Sequence, residues 1–101
     1  MENFKLKENE EILFDTPANR MRMIILGQGG KLHLTSERVV FTGHGKNIGE
    51  GTVSIDKSDI INVRKAFAMP FLPIPNAIKI NTSNGKYKFV VSKRKEWLRR
   101  L

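Results

Sequence analysis

Cysteine is absent from these 101 residues, which removes disulfides, thiolate metal sites and cysteine nucleophiles together and fits a reducing compartment. Long apolar runs are missing as well. Stretches such as Met23 to Leu26 fall far short of the roughly 18 residues that span a bilayer, and the acidic amino-terminal region lacks the basic and apolar parts of a signal peptide. A soluble, cytoplasmic protein is the expectation. Histidine occurs only as His33 and His44. Neither stands at metal-ligand spacing from another histidine or an acid, and no register places one beside Ser54 or Ser58. No enzyme activity, catalytic residue, metal or cofactor is therefore expected.

The segment Gly43-His-Gly-Lys-Asn-Ile-Gly-Glu-Gly51 is rich in glycine but lacks the Walker spacing. It has Ile48 where a dinucleotide fingerprint needs its third glycine, and it does not open a helix. A flexible inter-strand loop is the simpler reading.

With 40% hydrophobic and 28% charged residues, the composition is that of an ordinary globular protein. A chain this long supports one core, burying roughly 60 to 65% of its unfolded surface. Residues 1–10 read as a polar segment, loosely held or at an edge, with isolated apolar positions at Phe4 and Leu6. Residues 11–101 read as a single domain.

The net charge of +8 is unevenly spread: −3 over residues 1–15, +4 over 16–78 and +7 over 79–101. A basic end on a small domain favours anionic partners, although a solvated charged face is the plainer explanation.

Strand signals recur every eight to twelve residues with turn chemistry between them, the pattern of an all-β sandwich or barrel. A first strand is expected over Glu11–Phe14, a turn over Asp15-Thr-Pro-Ala-Asn19, a buried strand over Arg20–Leu26 and a turn at Gly27-Gln-Gly-Gly30. Residues 29–42 then read as a hairpin. A connection at Ser36-Glu37 sets Leu34 opposite Val39 and Leu32 opposite Phe41 on the core face, with Lys31 and His33 pointing the other way. Strands follow at Thr52–Ile55 and Ile60–Lys65.

Residues 77–91 hold the clearest local unit, because Asn84-Gly85 is a strong type I′ hairpin signal. The register it sets pairs Thr82 with Tyr87, Ile80 with Phe89 and Ile78 with Val91 inside, leaving Lys79, Asn81, Lys86 and Lys88 outside. A final helix is expected from Ser92 as N-cap, with Trp97, Leu98 and Leu101 on one stripe and Arg94 one turn back.

Gly30-Lys-Leu-His-Leu-Thr-Ser-Glu-Arg-Val-Val-Phe41 is similar to the glycine-Lys-Leu-x-Leu-Thr pattern of GRAM domains. Ile55 to Val63, Pro75-Asn-Ala-Ile-Lys-Ile80 and Lys86-Tyr-Lys-Phe-Val-Val-Ser-Lys-Arg-Lys-Glu-Trp-Leu98 extend the likeness in order along the chain. Over about residues 11–101 the chain resembles a stand-alone bacterial GRAM domain of the pleckstrin-homology-like superfold. The resemblance implies a mainly β fold, a seven-stranded antiparallel sandwich or partly open barrel capped by a C-terminal α-helix.

It further implies a binding module rather than an enzyme. Pleckstrin-like domains that bind phosphoinositides do so with Lys and Arg near the open end of the barrel. Arg20 and Arg22, on one face of an early strand by alternation, are candidates for this role. Lys79, Lys86 and Lys88 form a second candidate patch for anionic lipid, and Lys93, Arg94, Lys95, Arg99 and Arg100 carry the charge into the helix. Peripheral association with anionic lipid at the inner face of a membrane is the leading expectation.

The stretch Phe67-Ala-Met-Pro-Phe-Leu-Pro-Ile-Pro-Asn76 is unusually apolar for a loop and cannot be a central strand. Met69, Phe71, Leu72 and Ile74 either contact a membrane or partner or fold back over their own core. The alternative function is accordingly protein interaction or self-association, as a homo-oligomer, through this loop or a strand edge. Nucleic acid is disfavoured, because no aromatic platform stands among the outward positions of the last hairpin.

Overall fold

Alternating apolar residues at Leu32, Leu34, Val39 and Phe41, and again at Ile78, Ile80, Phe89 and Val91, require two hairpins whose inner faces meet in a single core. The computed structural model describes residues 4–21, 27–44, 52–67 and 76–101 and has that architecture. Its strands are β1 (Ile12–Met21), β2 (Gly27–Thr35), β3 (Arg38–Gly43), β4 (Val53–Asp56), β5 (Ile60–Ala66), β6 (Ala77–Thr82) and β7 (Gly85–Val91). A 3-10 turn at Lys57–Asp59 links β4 to β5, and helix α1 covers Arg94–Arg100.

The seven strands form one open sheet in the order β4-β3-β2-β1-β7-β6-β5, and all neighbours are antiparallel. The sheet folds so that both halves line one cluster: Leu32, Leu34, Val39, Phe41 and Ile55 from one, Ile78, Ile80, Phe89 and Val91 from the other. Phe41 and Phe89 join them, with ring centroids 5.6 Å apart.

Helix α1 closes one end with Trp97, which is fully buried. Its ring lies 5.0 Å from that of Phe14, and its Nε1–H donates to Thr16 Oγ1 at 2.9 Å. Leu98 and Leu101 pack beside it, as the stripe predicts. The helix start differs from expectation. Lys93, not Ser92, is the N-cap, in the left-handed conformation and without a side-chain cap. Arg94 Nη1 fixes this end by donating to the Ala66 carbonyl at 3.1 Å.

The β2–β3 register is the one expected, with Leu34 opposite Val39 and Leu32 opposite Phe41. Elsewhere long-range pairing overrides local signals. Residues 15–19 form no turn: β1 runs through Pro17, which pairs with Lys31 of β2. The β1–β7 ladder begins only at Ala18 opposite Val91, so the proline lies where β1 has a ladder partner on one side only, the kind of position it tolerates. Nor do Gly27–Gly30 turn; they are half of β2 and pair with Ala18–Met21. Gly30 is required there, because a Cβ would stand 2.1 Å from the Thr42 carbonyl oxygen.

In the last hairpin Thr82 faces Gly85, Ile80 faces Tyr87 and Ile78 faces Phe89, two residues from the expected register. The shift is even, so every side chain keeps its face. Thr82 Oγ1 accepts from the Asn84 N–H at 3.1 Å and donates to the Gly85 carbonyl at 2.8 Å. This centres the turn on Ser83-Asn84. Neither residue has a positive φ; Gly85 does, at 148°, so the turn is not the expected type I′.

Residues 4–10 are not a loose tail. Glu10 has a fully buried side chain and accepts from Arg38 Nε at 2.8 Å, Arg38 Nη2 at 3.0 Å and Thr35 Oγ1 at 2.5 Å. Hydrogen bonding from Arg38 outweighs burial and lowers its pKa from 4.5 to about 2. Phe4 is drawn in by the same arginine, whose guanidinium carbon sits 5.3 Å from its ring centroid.

Candidate functional site: a basic outer face

Opposite the core, the second half of the sheet carries a row of cations. Arg64 of β5 pairs directly with Lys79 of β6, and Lys79 pairs directly with Lys88 of β7. Their strand neighbours Val63, Ile78, Ile80 and Phe89 belong to or pack on the core, so alternation puts all three charges on the outer surface. Adjacent strands lie about 4.8 Å apart, and like charges at directly opposite positions repel. Asn62, Asn81 and Lys86 form the next row. Asn81 Nδ2 donates to Asn62 Oδ1 at 2.5 Å, while Asn81 Oδ1 is shielded and has no partner among the described residues.

Among the described residues, no ion pair involves Arg64, Lys79, Lys86 or Lys88. The other half of the sheet is neutralised from within. Asp15 lies 3.5 Å from Lys31 and 3.7 Å from His33, and Arg38 is held by Glu10. His33 points away from the core, as expected, yet is buried beneath Phe4, with ring centroids 5.0 Å apart. The amino-terminal segment thus covers His33 and Arg38 on the first half of the outer surface.

Lys79, Lys86 and Lys88 therefore come together as the sequence suggests. Arg20 does not join them. It pairs with Phe89, which places it on the opposite side of the sheet, where its guanidinium carbon lies 5.8 Å from the Tyr87 ring centroid. Arg22 lies outside the described residues, as do Met69, Phe71, Leu72 and Ile74.

The helical cations are mostly engaged elsewhere. Arg94 bonds backbone, and Arg99 and Arg100 both pair with Glu96, whose carboxyl they hold below its usual pKa, Arg99 foremost. Arg64 escaped the sequence reading. The alternation of Asn62, Val63 and Arg64 marks it as outward-facing, but its alignment with Lys79 follows from a pairing across the proline-rich segment.

One polar cluster has a suggestive order: Thr42 Oγ1 lies 3.1 Å from His33 Nε2, and Asp15 lies on the imidazole's other side. Thr42 and His33 are 5% and 1% exposed, so the hydroxyl is closed to a substrate in this arrangement. Among the described residues no cluster of three or more His, Cys, Asp or Glu could hold a metal, and no helix is long and apolar enough to cross a membrane.

The crystal structure of the C-terminal domain of an unknown protein from Leishmania infantum matches 92% of this chain and 82% of its own, with a TM-score of 0.75 and 16% identity. The fold is shared. It is mainly β, seven antiparallel strands with one C-terminal helix, consistent with the pleckstrin-homology-like sandwich expected from the sequence. No family model matches the chain, and no curated protein sequence does.

Proposed function

We propose that this chain is a non-catalytic binding module that associates peripherally with anionic membrane lipid through the outer face of β5, β6 and β7. The observation that carries the reading is the row Arg64, Lys79 and Lys88, with Lys86 beside it, in which no cation has an ion-pair partner among the described residues. Placing like charges opposite one another costs stability unless an anion lies over them. Near an anionic leaflet each basic residue contributes about 1 kcal/mol. Four acting together give about 4 kcal/mol, close to a thousandfold enrichment at the surface, which is reversible attachment rather than insertion. The GRAM resemblance supports the same reading, with the inner face of a membrane as the site of action.

Flotation with neutral and anionic vesicles tests it at about 0.15 M salt, where exposed charges are already screened beyond roughly 8 Å. Recovery with anionic vesicles alone, declining as salt rises, supports the reading. Equal recovery with both, or none with either, rejects it.

A second reading, protein interaction, draws on the edge of β5. This strand is an open edge of the sheet, with Ile61 68% and Phe67 51% exposed. Lys57 lines a cavity at one end and Lys65 another at the other end. Two such basic edges repel each other, so an acidic extended segment of another protein fits better than a second copy. Binding of an acidic, valine-rich peptide that is lost in Ile61→Asp would favour this reading; no binding would remove it.

A further inference from the structure

Asn84 is the one asparagine of the chain that glycine follows; every other precedes a residue with a side chain, as Asn62 precedes Val63 and Asn81 precedes Thr82. A side chain on the following residue crowds its backbone nitrogen, and a β-branched one crowds it most. Gly85 leaves that nitrogen uncrowded. Ser83, Asn84 and Gly85 are all exposed, and a Cβ built on Gly85 would meet nothing within 4 Å. The space beside this backbone is open to water and to a shift of the turn.

The turn does not need asparagine at this position. Asn84 has no positive φ, so its tolerance of the left-handed region is unused, and the turn bonds only its backbone N–H. Its carboxamide has no hydrogen-bond partner among the described residues and is free to rotate toward the Gly85 nitrogen.

Thr82 holds the turn closed. Its hydroxyl accepts from the Asn84 N–H at 3.1 Å and donates to the Gly85 carbonyl at 2.8 Å, and Gly85 stands opposite Thr82 as the last pair of the β6–β7 ladder. Opening a terminal pair costs far less than global unfolding, and it frees the Gly85 nitrogen.

We propose that Asn84 is a site of spontaneous deamidation, with the Thr82 hydroxyl as its brake. Hydroxide removes the Gly85 amide proton, and the nitrogen attacks Asn84 Cγ. The new N–C bond closes a cyclic imide as the Cγ–Nδ2 bond breaks, and Nδ2 takes a proton from water and leaves as ammonia. Water then opens either carbonyl of the imide, giving aspartate or isoaspartate. The only co-reactant is water.

Either product places a negative charge at the end of the basic outer face, beside Gly85 and Lys86. The consequence for binding rests on the lipid reading of that face: one added charge should weaken attachment to an anionic surface roughly fivefold.

The experiment ages the full chain at neutral and at mildly alkaline pH and follows each asparagine by fragment-resolved mass spectrometry, with enzymatic methylation to detect isoaspartate. Asn84 should gain the amide-to-acid mass at least about tenfold faster than Asn62 or Asn81, whose following residues are β-branched. It should yield isoaspartate and react faster at the higher pH. Thr82→Val keeps the branched side chain without the hydroxyl and should speed the change roughly fivefold. Asn84 reacting no faster than Asn62 and Asn81, or a rate that Thr82→Val leaves unchanged, would overturn the proposal. Asn84→Asp carries the charge of the product and should bind phosphatidylserine vesicles roughly fivefold less tightly than the parent. Equal binding would remove the functional consequence, whereas a parent that binds no vesicle counts against the lipid reading alone, since the mass measurement decides the site.

Discussion

Lys79 and Lys88 stand directly opposite each other on β6 and β7, and Arg64 stands opposite Lys79 on its other side. Lys79 is thus flanked by two like charges. Lys79→Glu converts both repulsive pairs to attractive ones and should stabilise the protein by about 0.2 to 1 kcal/mol. Thermal unfolding at low salt should show a raised midpoint. At about 1 M salt, where the screening length is near 3 Å, the gain should largely disappear. A lowered midpoint at low salt would mean that the row is not under electrostatic strain.

The Glu10–Arg38 pair should leave a signature in acid. The folded pKa of Glu10 is depressed to about 2 from 4.5, so its contribution is fully present above pH 4.5 and is lost as pH falls from there toward 2. Glu10→Gln should cost roughly 3 kcal/mol at neutral pH, since it leaves Arg38 with an uncompensated and largely buried charge. It should also flatten this part of the pH–stability curve. Urea unfolding from pH 7 to pH 2 checks both; an unchanged acid slope in the variant would place the titrating group elsewhere.

Trp97 carries the docking of α1. Trp97→Ala should cost about 3 to 5 kcal/mol, read by circular dichroism because the chain has no other tryptophan. Thr16→Val removes the acceptor of the indole N–H and should cost about 1 to 3 kcal/mol. A neutral Thr16→Val would show that the indole finds another acceptor.

Gly30→Ala should destabilise by about 1 to 3 kcal/mol through overpacking, because the colliding atom is the backbone oxygen of Thr42 rather than a movable side-chain end. Gly29→Ala, whose Cβ would meet side-chain atoms no closer than 3.4 Å, should stay within about 0.5 kcal/mol of the parent. Matched thermal melts compare them, and equal losses would contradict the packing derived for β2.

Short-range alternation made much of this fold legible. Leu32, Leu34, Val39 and Phe41 define both a face and a register because one slip would expose them all. The last hairpin kept its inward residues although the turn moved, since Thr82 binds the turn more effectively than Asn84-Gly85 directs it. Pro17 and Gly27–Gly30 misled for one reason: their local preference for turns is overridden by pairing between segments distant in sequence. The same holds for the site. Lys79 and Lys88 share a hairpin and could be grouped from the sequence, whereas Arg64 reaches them only through the β5–β6 ladder. The buried role of Glu10 depends on Arg38, 28 residues away, and no local pattern announces it.

The central claim is best tested by co-sedimentation with phosphatidylserine vesicles at about 0.15 M salt, comparing the parent with the Arg64→Gln, Lys79→Gln, Lys88→Gln triple variant. Three charges at about 1 kcal/mol each predict roughly a hundredfold weaker binding in a variant that remains folded. Parent and variant that sediment equally, or a parent that ignores anionic vesicles, would contradict the account.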